Sequence, residues 1–389
     1  MRVTFLSPQL PPAVCGVGDH TVHLASAMRE HCSGITALYV HGAADESGQA
    51  FQRVERWNRR PEALADLVRE HGSGWLWVQY SPYGYGYQGL PWYLVHALRR
   101  LRGRVKIALY FHEAHCGLAQ LGWKGYVLSP LQRRIGQKLA RCADVLFTSC
   151  ELYCDLIRRD YRVPDEKLFK LPIGSNIHVP ILTANKRQQL RQSLGWAPTE
   201  TVAITFGSAG SQRSALRRNH PTLIEAIHKK QIHRMICIGG VTDMPAAALL
   251  DACDNSLRPH TTVMGHQDDH RVAQMLVAAD VALTGYPVER FGKSSAIMAY
   301  AMAGLPVLRS DEDENLQCAD TREFLRIVHA HQLPEIACDE RARLDQQERA
   351  MASISWPVLG RRAFMVLDGS LPQAGLREAC LSKAASQAG

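Results

Sequence analysis

The sequence predicts an α/β protein built as two parallel-sheet domains in tandem. Short apolar runs of strand length alternate with helical stretches, the pattern of a sheet covered on both faces. The alternation breaks once, over 175–196, and then restarts. The length, 389 residues, is more than one core usually fills and comfortable for two domains.

The first half opens on a strand, Arg2–Ser7, followed by a Pro- and Gly-rich loop and a helical pattern over His20–Glu30. Buried strands are expected at Ile35–Val40, Trp75–Tyr80, Val105–Phe111, Val145–Thr148 and Leu168–Pro172. Helices are expected between them at Pro61–His71, Pro91–Leu101, Pro130–Cys142 and Glu151–Tyr161. The segment 175–196, with Pro180 and the polar run Asn185–Gln189, reads as an interdomain connection. Strands then follow at Val202–Phe206, Met235–Gly239, Thr261–Met264, Val281–Thr284 and Pro306–Leu308. Their helices are Pro221–Lys230, His270–Ala279, Ser294–Ala303 and Thr321–His331. The expected division is 1–178, a linker over 179–196, 197–355, and a final segment from 356 to 389 whose end, after Gly375, is Ala- and Ser-rich.

Composition narrows the classes. Apolar residues at 46% and charged residues at 21% describe a globular chain. No apolar run approaches the roughly 18–20 residues of a membrane span, and the N-terminus lacks a signal-peptide pattern. Eleven Cys without a CxxC pair argue for a reducing, cytoplasmic setting. The net charge of +8 is uneven: residues 1–180 hold 22 Lys and Arg against 15 Asp and Glu, whereas the rest is nearly balanced. A basic first half suits an anionic partner or is merely a solvated face.

Five segments could carry chemistry. The first loop, Pro11–Asp19, places Gly16 and Gly18 before a helix, where backbone can approach an anion; a turn capped by Asp19 is the plain alternative. Tyr80-Ser81-Pro82-Tyr83-Gly84-Tyr85-Gly86-Tyr87 offers aromatic faces to a sugar or base, or is an ordered loop. His112 and Glu113 end a strand, where open α/β sheets bind ligands. A metal reading of His112–Cys116 is weak, because neighbours on one short loop rarely converge. Gly207–Arg213, with Arg217 and Arg218, suits a diphosphate through backbone N–H groups and guanidinium contacts. Glu289-Arg290-Phe291-Gly292-Lys293-Ser294-Ser295 opens a helix and suits an anion, although its spacing refuses a P-loop. Asp311-Glu312-Asp313 looks like a metal-binding DxD but reads better as a solvated turn.

Taken in order, these segments resemble the GT-B glycosyltransferases, and within them glycosyltransferase family 4, the retaining, sugar-nucleotide-dependent group. The resemblance is carried by PPAVCGVGDHTVHLA (Pro11–Ala25), VQYSPYGYGYQGLP with FHE, CADVLFTSCELYCDLI, LPIGSNI and DVALTGYPVERFGKSSAIMAYAMAGLPVL (Asp280–Leu308), and it covers nearly the whole chain. It implies two Rossmann-like domains facing a central cleft, the first binding acceptor and the second donor, with a final helix crossing back to the first. It implies that Gly16 and Gly18 lie near the donor phosphates and that His112 contacts the transferred sugar. Arg213 and Arg218, with Arg217 as an alternative, would neutralise the leaving diphosphate. Glu289 would bind sugar hydroxyls, while Gly207, Phe291, Gly292, Lys293, Ser294 and Ser295 grip the donor. Asp19, Tyr80, Tyr83, Tyr85 and Glu113 would shape the acceptor site. The sequence departs from the family at its second Glu: Ile297 stands eight residues after Glu289, and alignment from Gly304-Leu305-Pro306 gives Ala299.

The expected function is therefore metal-independent, retaining transfer of a sugar, a hexose, from a UDP- or GDP-sugar to a carbohydrate, lipid-linked or other hydroxyl acceptor. No cofactor is expected beyond the donor substrate, and an anionic membrane surface is a candidate contact. Two other readings stand beside it. A nucleic-acid-binding protein, or a transferase acting on modified DNA bases, would use the basic patch Arg99, Arg100, Arg102, Arg104 and Lys106. A non-catalytic nucleotide-sugar binder would explain the absent second Glu.

Overall fold

The computed structural model describes residues 1–44, 50–116, 122–240, 254–310, 321–336 and 339–370. They form two compact units: Met1–Pro172 with the segment beginning at Trp356, and Ile173–Ser355.

The first unit is organised around seven strands: β1 (Arg2–Ser7), β2 (Gly34–Tyr39), β3 (Val54–Arg56), β4 (Trp75–Tyr80), β5 (Lys106–Phe111), β6 (Val145–Thr148) and β7 (Leu168–Lys170). Their order is β3-β2-β1-β4-β5-β6-β7, and every pair is parallel. Buried side chains from both sheet faces explain the continuous apolar runs: all six residues of β4 are buried. Phe5, Trp77 and Phe147 stack through the middle of the sheet, with centroids 5.6 and 4.6 Å apart. The helix Trp356–Asp368 returns to this unit and packs on the helix Gly16–Met28. A Cβ on Gly360 would stand 2.6 Å from that of Ala27, so the two helices meet at backbone distance.

The second unit holds β8 (Val202–Phe206), β9 (Arg234–Ile238), β10 (Thr261–Gly265), β11 (Val281–Leu283), β12 (Val307–Leu308) and β13 (Ile327–Val328), all parallel, in the order β10-β9-β8-β11-β12-β13. Here the structure differs from expectation in two places. The expected linker, 179–196, lies inside this unit, and Ala184–Ser193 is a helix. Its Arg187 and Arg191 are buried and close a charge network on Asp280: Arg187 Nη2 and Arg191 Nη1 donate to its carboxylate at 2.7 and 2.9 Å. Both guanidiniums also donate to carbonyls of 277–279, and Val202 N donates to Asp280 Oδ2. A run that reads as a polar connector is thus helical because its arginines are satisfied inside. The helix expected at Thr321–His331 is instead a turn, then β13, then a short 3-10 segment at Ala330–Gln332. Pairing of Ile327 and Val328 with β12 outweighs local helical preference.

In both sheets the chain builds outward on one side and then restarts on the other. The reversal lies between β1 and β4 in the first unit and between β8 and β11 in the second. Ligand crevices of open parallel sheets form at this switch point, beyond the carboxyl ends of the strands.

Candidate functional site

In the first unit, the loops at that point are those following β1 and β4. The chain leaves β1 and enters the helix Gly16–Met28 at Gly16, which is exposed with no atom within 4 Å of a built Cβ. Gly18 is different: a Cβ there would lie 2.8 Å from the Gln9 carbonyl oxygen, so glycine is needed for the loop to fold over the helix start. Asp19 stands in the first helical turn, where a carboxylate favours the helix dipole.

His112 follows β5. Its amide donates to Tyr80 O at 2.9 Å, and its Nε2 lies 2.7 Å from Gln79 Oε1. Its ring meets His20 edge-on, with centroids 4.7 Å apart, and rests 4.4 Å from that of Tyr110. His20 is buried, and among the described residues no group meets hydrogen-bond geometry with its ring nitrogens. Burial, assisted by His23, pushes its pKa down to about 3, which keeps it uncharged beside His112. Trp356 closes the cluster, stacked on His23 at 5.1 Å and edge-on to His20 at 5.4 Å. Sequence reasoning missed His20, Gln79 and Trp356. The i, i+3 spacing of His20 and His23 was a visible signal, but the other two are joined to the cluster only by the fold.

The tyrosine loop divides in two. Tyr80 and Tyr85 belong to the core, stacked on each other, and Tyr85 Oη donates to Leu6 O at 2.9 Å. Both side chains are buried, so Tyr80 is a core residue and not part of an open acceptor surface, whereas Tyr85 still contributes to a cavity wall. Tyr83 and Tyr87 are 46% and 89% exposed and keep their faces available. Ser81 Oγ donates to Glu113 Oε2 at 3.4 Å, tying this loop to the one bearing His112. His115 is engaged by Asp160, at 3.3 Å, and by Tyr161 rather than turned toward His112. Among the described residues no group of three or more His, Cys, Asp or Glu is placed to hold a metal ion. Asp311-Glu312-Asp313 lies outside the described residues, as does the tail after Gly375.

In the second unit, the loops after β8 and β11 lie side by side. Gly207, at φ 130°, leads into the helix Ala209–Arg218, whose cap Ser208 accepts from Ser211 N. Buried Gln212 donates through Nε2 to Gly207 O and Ile238 O, fixing the turn. Gly285, just beyond β11, has no room for a side chain: a Cβ there would lie 2.2 Å from Ser214 Oγ and 2.6 Å from the Ser214 carbonyl carbon. Asn219 Nδ2 donates to Thr284 O at 3.2 Å, joining the loops again. The second loop then forms a 3-10 turn, Val288–Lys293, carrying Glu289, Phe291, Gly292 and Lys293. Buried Ser294 caps the helix Ser295–Met302, accepting from Ile297 N at 3.4 Å. Phe291 is fully buried and lies 6.0 Å from the buried Arg309 guanidinium, so it supports the turn from within. Arg309 Nη1 donates to Tyr286 O.

Arg213, Arg217 and Arg218 are all exposed on the first of these helices. At 100° per residue, Arg213 and Arg217 share a face, whereas Arg218 falls roughly 140° from Arg213. The helix therefore pairs Arg213 with Arg217, not with Arg218. Ile297 and Ala299, the two positions where the second Glu could stand, are fully buried apolar residues. Arg99, Arg100, Arg102, Arg104 and Lys106 are exposed but lead into the start of β5, at the amino end of the sheet and opposite the switch-point loops.

The fold is that of the GT-B glycosyltransferases. Matching structures include the Anabaena protein HepE in complex with UDP, 14% identical with a TM-score of 0.66, covering 95% of this chain and 100% of that one. A sucrose-phosphate synthase from Thermosynechococcus elongatus is 12% identical with a TM-score of 0.66, covering 95% and 99%. A UDP-GlcNAc 2-epimerase from Neisseria meningitidis, bound to UDP-GlcNAc, is 11% identical with a TM-score of 0.52, covering 95% and 99%. No family model and no curated protein matches the sequence.

Proposed function

We propose that this protein is a glycosyltransferase that moves a sugar, with retention, from a nucleoside diphosphate sugar to a hydroxyl of a carbohydrate or lipid-linked acceptor. The observation that carries the reading is the pair of loops after β8 and β11. Two Ser-capped helix starts, a glycine turn and the Arg213–Arg217 face stand together at the switch point of the second sheet. That is an arrangement for a diphosphate, and it needs no metal. Structures of like fold hold UDP, UDP-glucose and UDP-GlcNAc.

In the reaction the bond between the sugar C1 and the β-phosphate oxygen breaks, and the electron pair leaves with the diphosphate. Arg213, Arg217, Lys293 and the Ser294-capped helix would stabilise that charge without reorganising. A new bond forms from C1 to the acceptor oxygen on the same face, and the acceptor proton departs with the diphosphate. Glu289 would bind sugar hydroxyls. His112, held by Gln79, would orient the transferred sugar. The apolar Ile297 and Ala299 leave the ribose without the family's carboxylate, which favours the serines and Lys293 as substitutes.

Incubation with a panel of UDP- and GDP-sugars and acceptors should release nucleotide from at least one donor. An Arg213→Ala/Arg217→Ala double variant should be slower by roughly 10- to 100-fold, the loss of one or two charge-assisted contacts. Undiminished turnover in that variant would sink the diphosphate assignment. Calorimetric binding of UDP with no turnover on any acceptor would favour the non-catalytic binder, for which the buried Ile297 and Ala299 are the supporting observation.

A further inference from the structure

A cavity of about 570 Å³ opens beside the carboxyl ends of β2, β3 and β4. That volume is within the usual range of small-molecule sites. Its walls include His41, Arg59, Tyr83, Tyr87, Gln88 and Lys124, and among the described residues no Asp or Glu lines it. Arg59 and Lys124 thus place two cations on its lining, with no carboxylate among the described wall residues. Arg59 is held in place: its Nη2 lies 2.6 Å from His41 Nδ1, and its guanidinium sits 5.8 Å above the Tyr93 ring. Partial burial, then Arg59 and Arg56, lower the pKa of His41, which leaves the imidazole neutral and able to accept that hydrogen bond. Arg59 and Gln88 also adopt left-handed backbone conformations, at φ 66° and 58°, which are uncommon for non-glycine residues. Tyr83 and Tyr87 supply exposed aromatic faces on the other wall. Next to Lys124, Trp123, Tyr126 and Val127 are 79%, 74% and 63% exposed.

We infer that this cavity is the acceptor site and that it selects a phosphorylated saccharide, with the phosphate on Arg59 and Lys124 and the sugar ring against Tyr83 and Tyr87. The cations supply charge-assisted contacts that a neutral sugar cannot use. The tyrosines supply stacking that inorganic phosphate cannot use. The phosphate could belong to a free sugar phosphate or to a lipid-linked sugar, for which Trp123, Tyr126 and Val127 offer an apolar rim. The word acceptor rests on the glycosyl-transfer reading; the binding site itself does not.

Calorimetry on the full chain, without donor, tests this with glucose 6-phosphate, methyl glucoside and a glucose linked through diphosphate to a short prenyl chain. At least one phosphorylated probe should bind more than ~10-fold tighter than methyl glucoside, and binding should weaken as salt is raised. Preference for glucose 6-phosphate identifies the free source, and preference for the prenyl probe the lipid source. An Arg59→Ala/Lys124→Ala variant, its fold checked by circular dichroism, should lose that preference. Tyr87→Ala should weaken glucose 6-phosphate more than inorganic phosphate. Equal binding of charged and neutral probes, no binding of any probe, or an unchanged double variant would overturn the inference. Phosphorylated probes that bind to a chain releasing no nucleotide would leave the cavity assigned and remove the transfer reading. Nucleotide release without such binding would do the reverse.

Discussion

The two units share a topology but present different materials at their switch points. The first offers side chains: the buried His20 packed against the half-buried His112, and exposed tyrosines and cations around an open cavity. The second offers backbone: a glycine turn, two serine caps and loops so close that a β-carbon at Gly285 would collide with Ser214. Side-chain surfaces discriminate among ligands, whereas backbone N–H groups and helix ends recognise charge whatever else the ligand carries. Under the proposed reading, that division would suit a variable acceptor in the first unit and a constant diphosphate in the second.

Three experiments would sharpen or break this contrast. The largest effect should come from Asp280→Ala, which strips the carboxylate from two buried arginines of the second unit; the expected cost is ~3–5 kcal/mol in a denaturant melt. A cost below ~1 kcal/mol would mean that the network does not hold the backbone behind the β11 loop. Next, Gly285→Ala should force the two loops apart, at ~1–3 kcal/mol, with UDP affinity falling alongside. If stability drops while UDP binding does not, the loop pair is not the anion site. The third concerns the first unit and is a slope, small over any one pH unit. Because the folded pKa of His20 lies far below that of a free histidine, the unfolded chain binds the proton more readily between about pH 6.5 and 3. Stability should therefore fall with acidity across that window, by up to about 1.4 kcal/mol per pH unit from this group. His20→Phe should flatten that part of the profile, and an unchanged slope would show that His20 takes up its proton inside the fold.

Much of the architecture was legible in the sequence, because buried parallel strands are continuous apolar runs: Trp75–Tyr80, Val145–Thr148 and the helix Glu151–Tyr161 stand where their patterns end. The failures have two causes. Arg187 and Arg191 read as solvent-facing until a carboxylate 89 to 93 residues away buries them. Tyr80 and Tyr85 read as ligand-facing because a Gly-jointed aromatic loop looks the same whether its rings point out or in. The helix Ala209–Arg218 was hidden by its Gly- and Ser-rich first turn, and with it the pairing of Arg213 with Arg217. The arginines and the tyrosines depend on partners distant in sequence, which local periodicity does not carry, whereas the helix start was masked by its own residues.

The returning helix has a consequence for how the molecule is made. During synthesis, residues 1–172 leave the ribosome long before Trp356, and until that helix arrives the face of Gly16–Met28 that meets Gly360 and Trp356 stays open to water. His20, which needs a dry setting to stay neutral, is on that face. The first unit can therefore be completed only after the second has been translated. A nascent chain stalled before residue 356 should expose this seam to protease, and supplying the last helix as a separate peptide should seal it.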